Sequence, residues 1–264
     1  MDERVTFPRV LRSEWVKLVS LRSTYWTVGA TLLVMVLIAL LLGAASRVES
    51  TTGAPGPDGE MAIGMGYSFA QVVVAVLGTL MITGEYATGM IRSTLVAIPK
   101  RIPALAAKAL LITAVGFLLG VVGVALSYAV SYPLLGGDAA ADLGDPEVQR
   151  IFWGSGLYLA GVGLLGLGVG ALLRHTAGAI TVTLGVLLML GTVMQLLMLA
   201  SDIFVDIYPY LPTTAGERIV MPAAETVAAE GPAILGPWEG YAVFMAYVTA
   251  TLGSAAALLV GRDA

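Results

Sequence analysis

The chain has 264 residues, 58% of them hydrophobic and only 12% charged, with a mean hydropathy of +0.88 and a net charge of −4. Water-soluble domains carry about 25% charged residues, so an ordinary soluble domain is excluded. The absence of cysteine also excludes disulfides and thiolate metal sites.

Residues 1–26 read as a tail with an interfacial amphipathic helix. Phe7, Val10, Leu11, Trp15, Leu18, Leu21 and Tyr25 recur at three- and four-residue steps, while Arg9, Arg12, Ser13, Ser20 and Ser23 take other faces. Basic residues over a Trp-bearing apolar stripe suit the headgroup boundary. A plain basic juxtamembrane anchor is the alternative. The apolar run that follows ends in Gly43-Ala44-Ala45, which looks like a cleavage site, yet the leader before it is too long for a usual signal peptide, so the run is expected to stay as a span.

Residues 27–261 form the transmembrane region. Its apolar runs predict spans at about 27–45, 62–83, 104–132, 151–173, 176–200 and 240–261, since about 20 apolar residues at 1.5 Å rise cross the hydrocarbon core. The predicted fold is therefore all-α and polytopic, with six transmembrane helices. The polar, Gly- and Pro-rich stretches 47–60 and 138–150 read as irregular loops. The long segment 202–239 carries five prolines and predicts re-entrant or surface helices. Within it, Thr214-Ala215-Gly216-Glu217 has capping-box spacing and predicts a helix start, with Pro222 as its stop.

Charge sets the orientation. With both termini cytoplasmic, 11 of the 14 Lys and Arg lie inside, and only Arg47, Arg150 and Arg218 fall outside. The 116–120 and 166–170 stretches place glycines four apart, which predicts close helix packing.

Catalytic and coupling chemistry is sparse. No lysine follows a glycine, so the chain has no P-loop. His175 is the single histidine and stands beside Arg174 in a short turn, which fits an interfacial residue better than a base. The predicted spans hold almost no ionisable groups, whereas ion-coupled carriers use embedded carboxylates or histidines. Lys108, seven residues past Arg101, is the exception. It either snorkels to the interface or pairs with Glu85.

The connection between the second and third spans is proline-broken and basic. Ile91, Leu95 and Ile98 share one helical face ahead of Pro99, so a short helix is expected at about 86–98. Its apolar face is covered either by another protein or by headgroups. Glu85, Gly89, Leu95, Pro99, Arg101 and Lys108 resemble the pattern that follows the second membrane helix of ABC-2 type permeases, the membrane subunits of ATP-driven exporters. Residues 12–26, RSEWVKLVSLRSTYW, are similar to the amphipathic start of actinobacterial members.

That resemblance implies a coupling helix seated in a separate nucleotide-binding subunit. Glu85 and Arg92 would fix it by polar contacts, Ile91 and Leu95 would form its apolar knob, and Pro99 would end it. Gly89, Arg101 and Lys108 complete the set. The chain would bind no cofactor itself and would not be an enzyme, because ATP and Mg2+ belong to the partner ATPase. It would work as a dimer with a second copy or a sister permease, multi-pass in a bacterial plasma membrane, with no nucleic-acid partner. Phe69, Gln71, Met189, Met194, Gln195 and Met198 of spans two and five are candidates for a path taken by lipophilic or amphiphilic cargo, such as an antibiotic or lipid. Methionine at helical spacing is equally a packing residue. The competing readings are a self-sufficient carrier or channel, and a membrane enzyme or sensor.

Overall fold

The computed structural model describes residues 6–20, 22–52, 57–91, 101–135, 140–222 and 234–261, and all regular structure among them is helical. A tail helix α1 (Phe7–Ser20) precedes α2 (Arg22–Thr52). A short α3 (Gly59–Gly64) runs into α4 (Tyr67–Ala87), followed by α5 (Arg101–Leu135) and α6 (Pro146–Leu173). The fifth long element is α7 (Thr176–Leu184), a π-helical turn (Gly185–Met189) and α8 (Leu190–Met198). Then come α9 (Ile203–Ile207), a 3-10 turn (Tyr208–Tyr210), α10 (Pro212–Glu217) and α11 (Pro237–Gly261).

Six of these helical stretches are long and apolar enough to cross a membrane: Thr24–Arg47, Gly59–Ala87, Arg101–Leu135, Pro146–Leu173, Thr176–Met198 and Pro237–Gly261. The chain is thus an all-α, multi-pass membrane protein. Local chemistry sets several helix ends. Asp58 and Asp145 accept hydrogen bonds from Met61 N and Glu147 N, each at 2.8 Å, and Pro146 occupies the first turn of α6. The expected loop at 138–150 therefore gives way to helix at Pro146.

Helix α6 is the centre of the bundle. Its most apolar window is 72% buried, against 11% for the window of the fifth span. The reason is steric: α6 carries seven glycines, so its neighbours approach to backbone contact. A Cβ on Gly120 of α5 would collide with the Ser155 carbonyl of α6, and one on Gly78 of α4 would collide with the Gly163 carbonyl. The predicted glycine spacings at 116–120 and 166–170 both fall in these two seams.

One end of the bundle gathers the tail helix, the start of α5 and the end of α11. Val10 packs on Ala104 and Ala107. The Arg101 guanidinium donates to Leu259 O at 2.8 Å and that of Arg174 to Leu258 O at 3.4 Å, so two cations meet the last carbonyls of α11. His175 serves as the N-cap of α7, its Nδ1 accepting from Gly178 N at 3.1 Å.

From the opposite end, residues 203–217 fold back into the bundle. Tyr208 Oη accepts from Gln195 Nε2 at 2.8 Å, and Thr213 Oγ1 donates to Val186 O at 3.0 Å. Val186 is ten residues into the fifth span, about 15 Å along it. The π turn leaves carbonyls without their α-helical partners, and the Thr213 hydroxyl takes one. This hairpin keeps its irregular backbone buried in protein, as it must at membrane depth. The predicted capping box is not formed. Pro212 starts α10 and Glu217 ends it.

Candidate functional site

A cluster of four charged side chains lies at the end of the bundle that gathers α1 and the start of α5. Helix α1 contributes Glu14, flanked by Val10 and Leu18 one turn away on either side, and all three are buried. Helix α4 contributes Glu85 in its last turn, and α5 contributes Lys108 two turns after Arg101. Lys108 Nζ lies 2.5 Å from Glu14 Oε2 and 2.7 Å from Glu85 Oε1. Lys17 Nζ lies 2.7 Å from Glu14 Oε1 and 2.8 Å from Glu85 Oε1.

Two ammonium groups and two carboxylates make the cluster neutral. Glu14, Glu85 and Lys108 are no more than 4% exposed, while the Lys17 side chain is 33% exposed. Burial by itself would lower the Lys17 pKa, but hydrogen bonds to Glu14 and Glu85 outweigh it and raise the value. Buried charges in this arrangement fix geometry, because each needs the others in place. The cluster ties α1, α4 and α5 together where the chain leaves the second span. Among the described residues no group of three His, Cys, Asp or Glu side chains is placed to hold a metal.

Several expectations change here. Lys108 does not snorkel; it points inward onto Glu85, the partner proposed from sequence, and onto Glu14, which was not. The tail helix does not lay its whole apolar stripe on one surface. Val10 and Leu18 face the bundle, while Phe7, Trp15 and Tyr25 are 43%, 50% and 61% exposed. Glu14 displaces the stripe because its charge partners draw that edge of α1 inward. A single acid between Val10 and Leu18 was the available signal.

Gly89 ends α4. Its φ of 71° is left-handed, and its N–H donates to Tyr86 O at 3.2 Å. Just beyond it, Ile91 is 8% exposed and does not form a projecting knob, whereas Met90 is exposed. Arg92, Leu95 and Pro99, with most of the coupling helix expected at 86–98, lie outside the described residues.

A groove of about 530 Å³ adjoins the cluster. Val73, Val76, Leu80 and Met81 of α4 form much of its wall, and Lys17 and Glu85 line it as well. It joins an apolar body to the charged groups of the cluster.

The six residues proposed for a cargo path do not form one surface. Phe69 and Met189 are 59% and 64% exposed on the outside of the bundle, Gln195 is exposed and bonded to Tyr208, and Met194 and Met198 are half-buried. Gln71 faces the interior instead, 3% exposed. There its Oε1 accepts from Tyr158 Oη at 2.6 Å and its Nε2 stands 3.4 Å from Glu217 Oε1. Sequence reading missed Tyr158 and Glu217. The former sits in a run of small apolar residues, and the latter was taken for a helix-capping acid.

Comparison with known proteins adds no relative: no protein-family model matches the chain, and no curated protein matches it.

Proposed function

We propose that the chain is the membrane subunit of an ATP-driven exporter of the ABC-2 permease type, non-catalytic itself and worked by a separate nucleotide-binding subunit. The observation that carries this reading is the buried cluster of Glu14, Lys17, Glu85 and Lys108. It sits at the root of the 88–101 connection and fastens three helices there. A push received by that connection would pass into α1, α4 and α5 as one body rather than bending the end of α4. In this reading both termini and the connection face the cytosol of a bacterial plasma membrane, in line with the Lys and Arg bias. ATP and Mg2+ bind the partner, and two permease units form the transport path. The groove beside α4, mostly aliphatic with charges near one end, suits a lipophilic or amphiphilic cargo.

The test is purification of the tagged full chain from its native membrane, with assay of Mg2+-dependent ATP hydrolysis in the eluate. A co-purifying ATPase that is lost in Leu95→Asp supports the proposal. Transport by the pure chain in liposomes, without ATP or partner, overturns it in favour of a self-sufficient carrier. One observation favours that second reading: the carboxyl of Glu217 lies inside the bundle, as in ion-coupled carriers.

A further inference from the structure

The groove beside the ion cluster has a direction. Val72, Val76, Leu80 and Gly84 stand four apart on α4, so they form one row along its wall. Val72 and Val76 are half-buried and Leu80 is 42% exposed, so the row opens outward from the bundle. At 1.5 Å per residue the row is about 18 Å long, close to the ~15 Å of hydrocarbon in one leaflet. The charged lining groups all meet around Glu85, so the groove is charged at its Gly84 end and mainly aliphatic along the rest of α4.

Gly84 keeps the two parts joined. A Cβ there would meet nothing within 4 Å, so the missing side chain leaves open space between the aliphatic row and the charged end.

Charge decides which headgroup fits. The cluster is neutral, but Glu14 and Glu85 are buried and Lys17 is the member that reaches the surface, so its positive side faces outward. Around it, Arg9 and Arg12 of α1 and Arg22 at the start of α2 are exposed. Among the described residues from 6 to 47, no exposed acid accompanies them. Four cations along an amphipathic helix and its root, with Trp15 exposed between them, attract anionic lipid.

We propose that the groove is a binding site for one anionic phospholipid from the leaflet on the α1 side. One acyl chain lies along Val72, Val76 and Leu80, and the phosphate stands at the Gly84 end beside Lys17. A lipid seated there touches α1, α2 and α4 together, because Leu18, Thr27 and Val76 all line the groove. It braces the tail helix against the second span. The occupant is an amphiphile, yet the inference rests on the membrane fold alone and stands whether or not an ATPase works the chain.

The test uses the full chain in phosphatidylcholine vesicles holding a little phosphatidylglycerol with a diazirine midway along one acyl chain. A parallel sample carries the phosphatidylcholine probe with the same chains. After illumination, cross-linked peptides are located by mass spectrometry. The label is expected on the 72–84 row, about fivefold stronger from phosphatidylglycerol, the effect of about one cation beside an anionic lipid. Gly84→Leu fills the open end and should reduce labelling of the row to the level on the exposed face of the fifth span. Gly29→Leu on α2, equally open but outside the groove, should leave it unchanged. Labelling spread evenly over the lipid-facing helices, equal labelling by both probes, or a row still labelled in Gly84→Leu overturns the proposal. Where Gly84→Leu does not assemble, the first two results on the unsubstituted chain decide. Neither sample needs ATP or a partner, so the lipid site and the exporter reading fail separately.

Discussion

Replacing Lys108 by Met tests whether the ion cluster is the structural unit described above. The side chain is 3% exposed and its ammonium contacts both Glu14 and Glu85. Met has similar length and fills the same space, so packing changes little, and the loss is electrostatic. Two buried carboxylates would then share Lys17 alone, leaving one uncompensated negative charge. Removing one partner of a buried pair costs about 3–5 kcal/mol. Lys17→Met leaves the same excess negative charge, with Lys108 alone facing Glu14 and Glu85, and should also destabilise, but by less than Lys108→Met because water already screens the 33% exposed Lys17 side chain. The double variant Lys108→Met, Glu85→Gln restores neutrality, with Glu14 facing Lys17, and should recover about 1–3 kcal/mol relative to the sum of the single changes. The assay is equilibrium unfolding of the purified chain in mixed micelles, followed by helical circular dichroism. If Lys108→Met costs less than about 1 kcal/mol, as an exposed pair would, or if the double variant is simply additive, the three helices are not held by a shared buried cluster. The coupling argument then loses its physical basis.

Gly78→Ala places a methyl against the Gly163 carbonyl and should lose about 1–3 kcal/mol or fail to assemble. Gly29→Ala meets nothing within 4 Å and should shift the same unfolding midpoint by less than about 1 kcal/mol. Thr213→Val removes the hydroxyl from Val186 O and should cost about 1 kcal/mol, read as faster proteolysis of the 203–217 hairpin in nanodiscs.

How far the sequence reaches is clear at particular residues. The six spans were legible because a hydrocarbon core demands long apolar runs, and the demand is local to each run. The glycine spacings in α5 and α6 were legible as packing sites for the same kind of reason: absence of a side chain is a local fact with a steric consequence. His175 as a turn residue follows from its neighbours alone. None of this required knowing which helix stands beside which.

The ion cluster and the Glu217 site are of another kind. Glu14 meets Lys108 across 94 positions, and Gln71 meets Glu217 across 146. Periodicity places a residue on a face without saying what stands opposite, so Lys108 was free to snorkel, Gln71 free to line a path, and Glu217 free to cap a helix. Composition and hydropathy fixed how many times this chain crosses a membrane. Only the tertiary arrangement decided which few polar groups meet inside it, because a charge is stabilised by a partner at about 3 Å, and chain distance does not determine that separation.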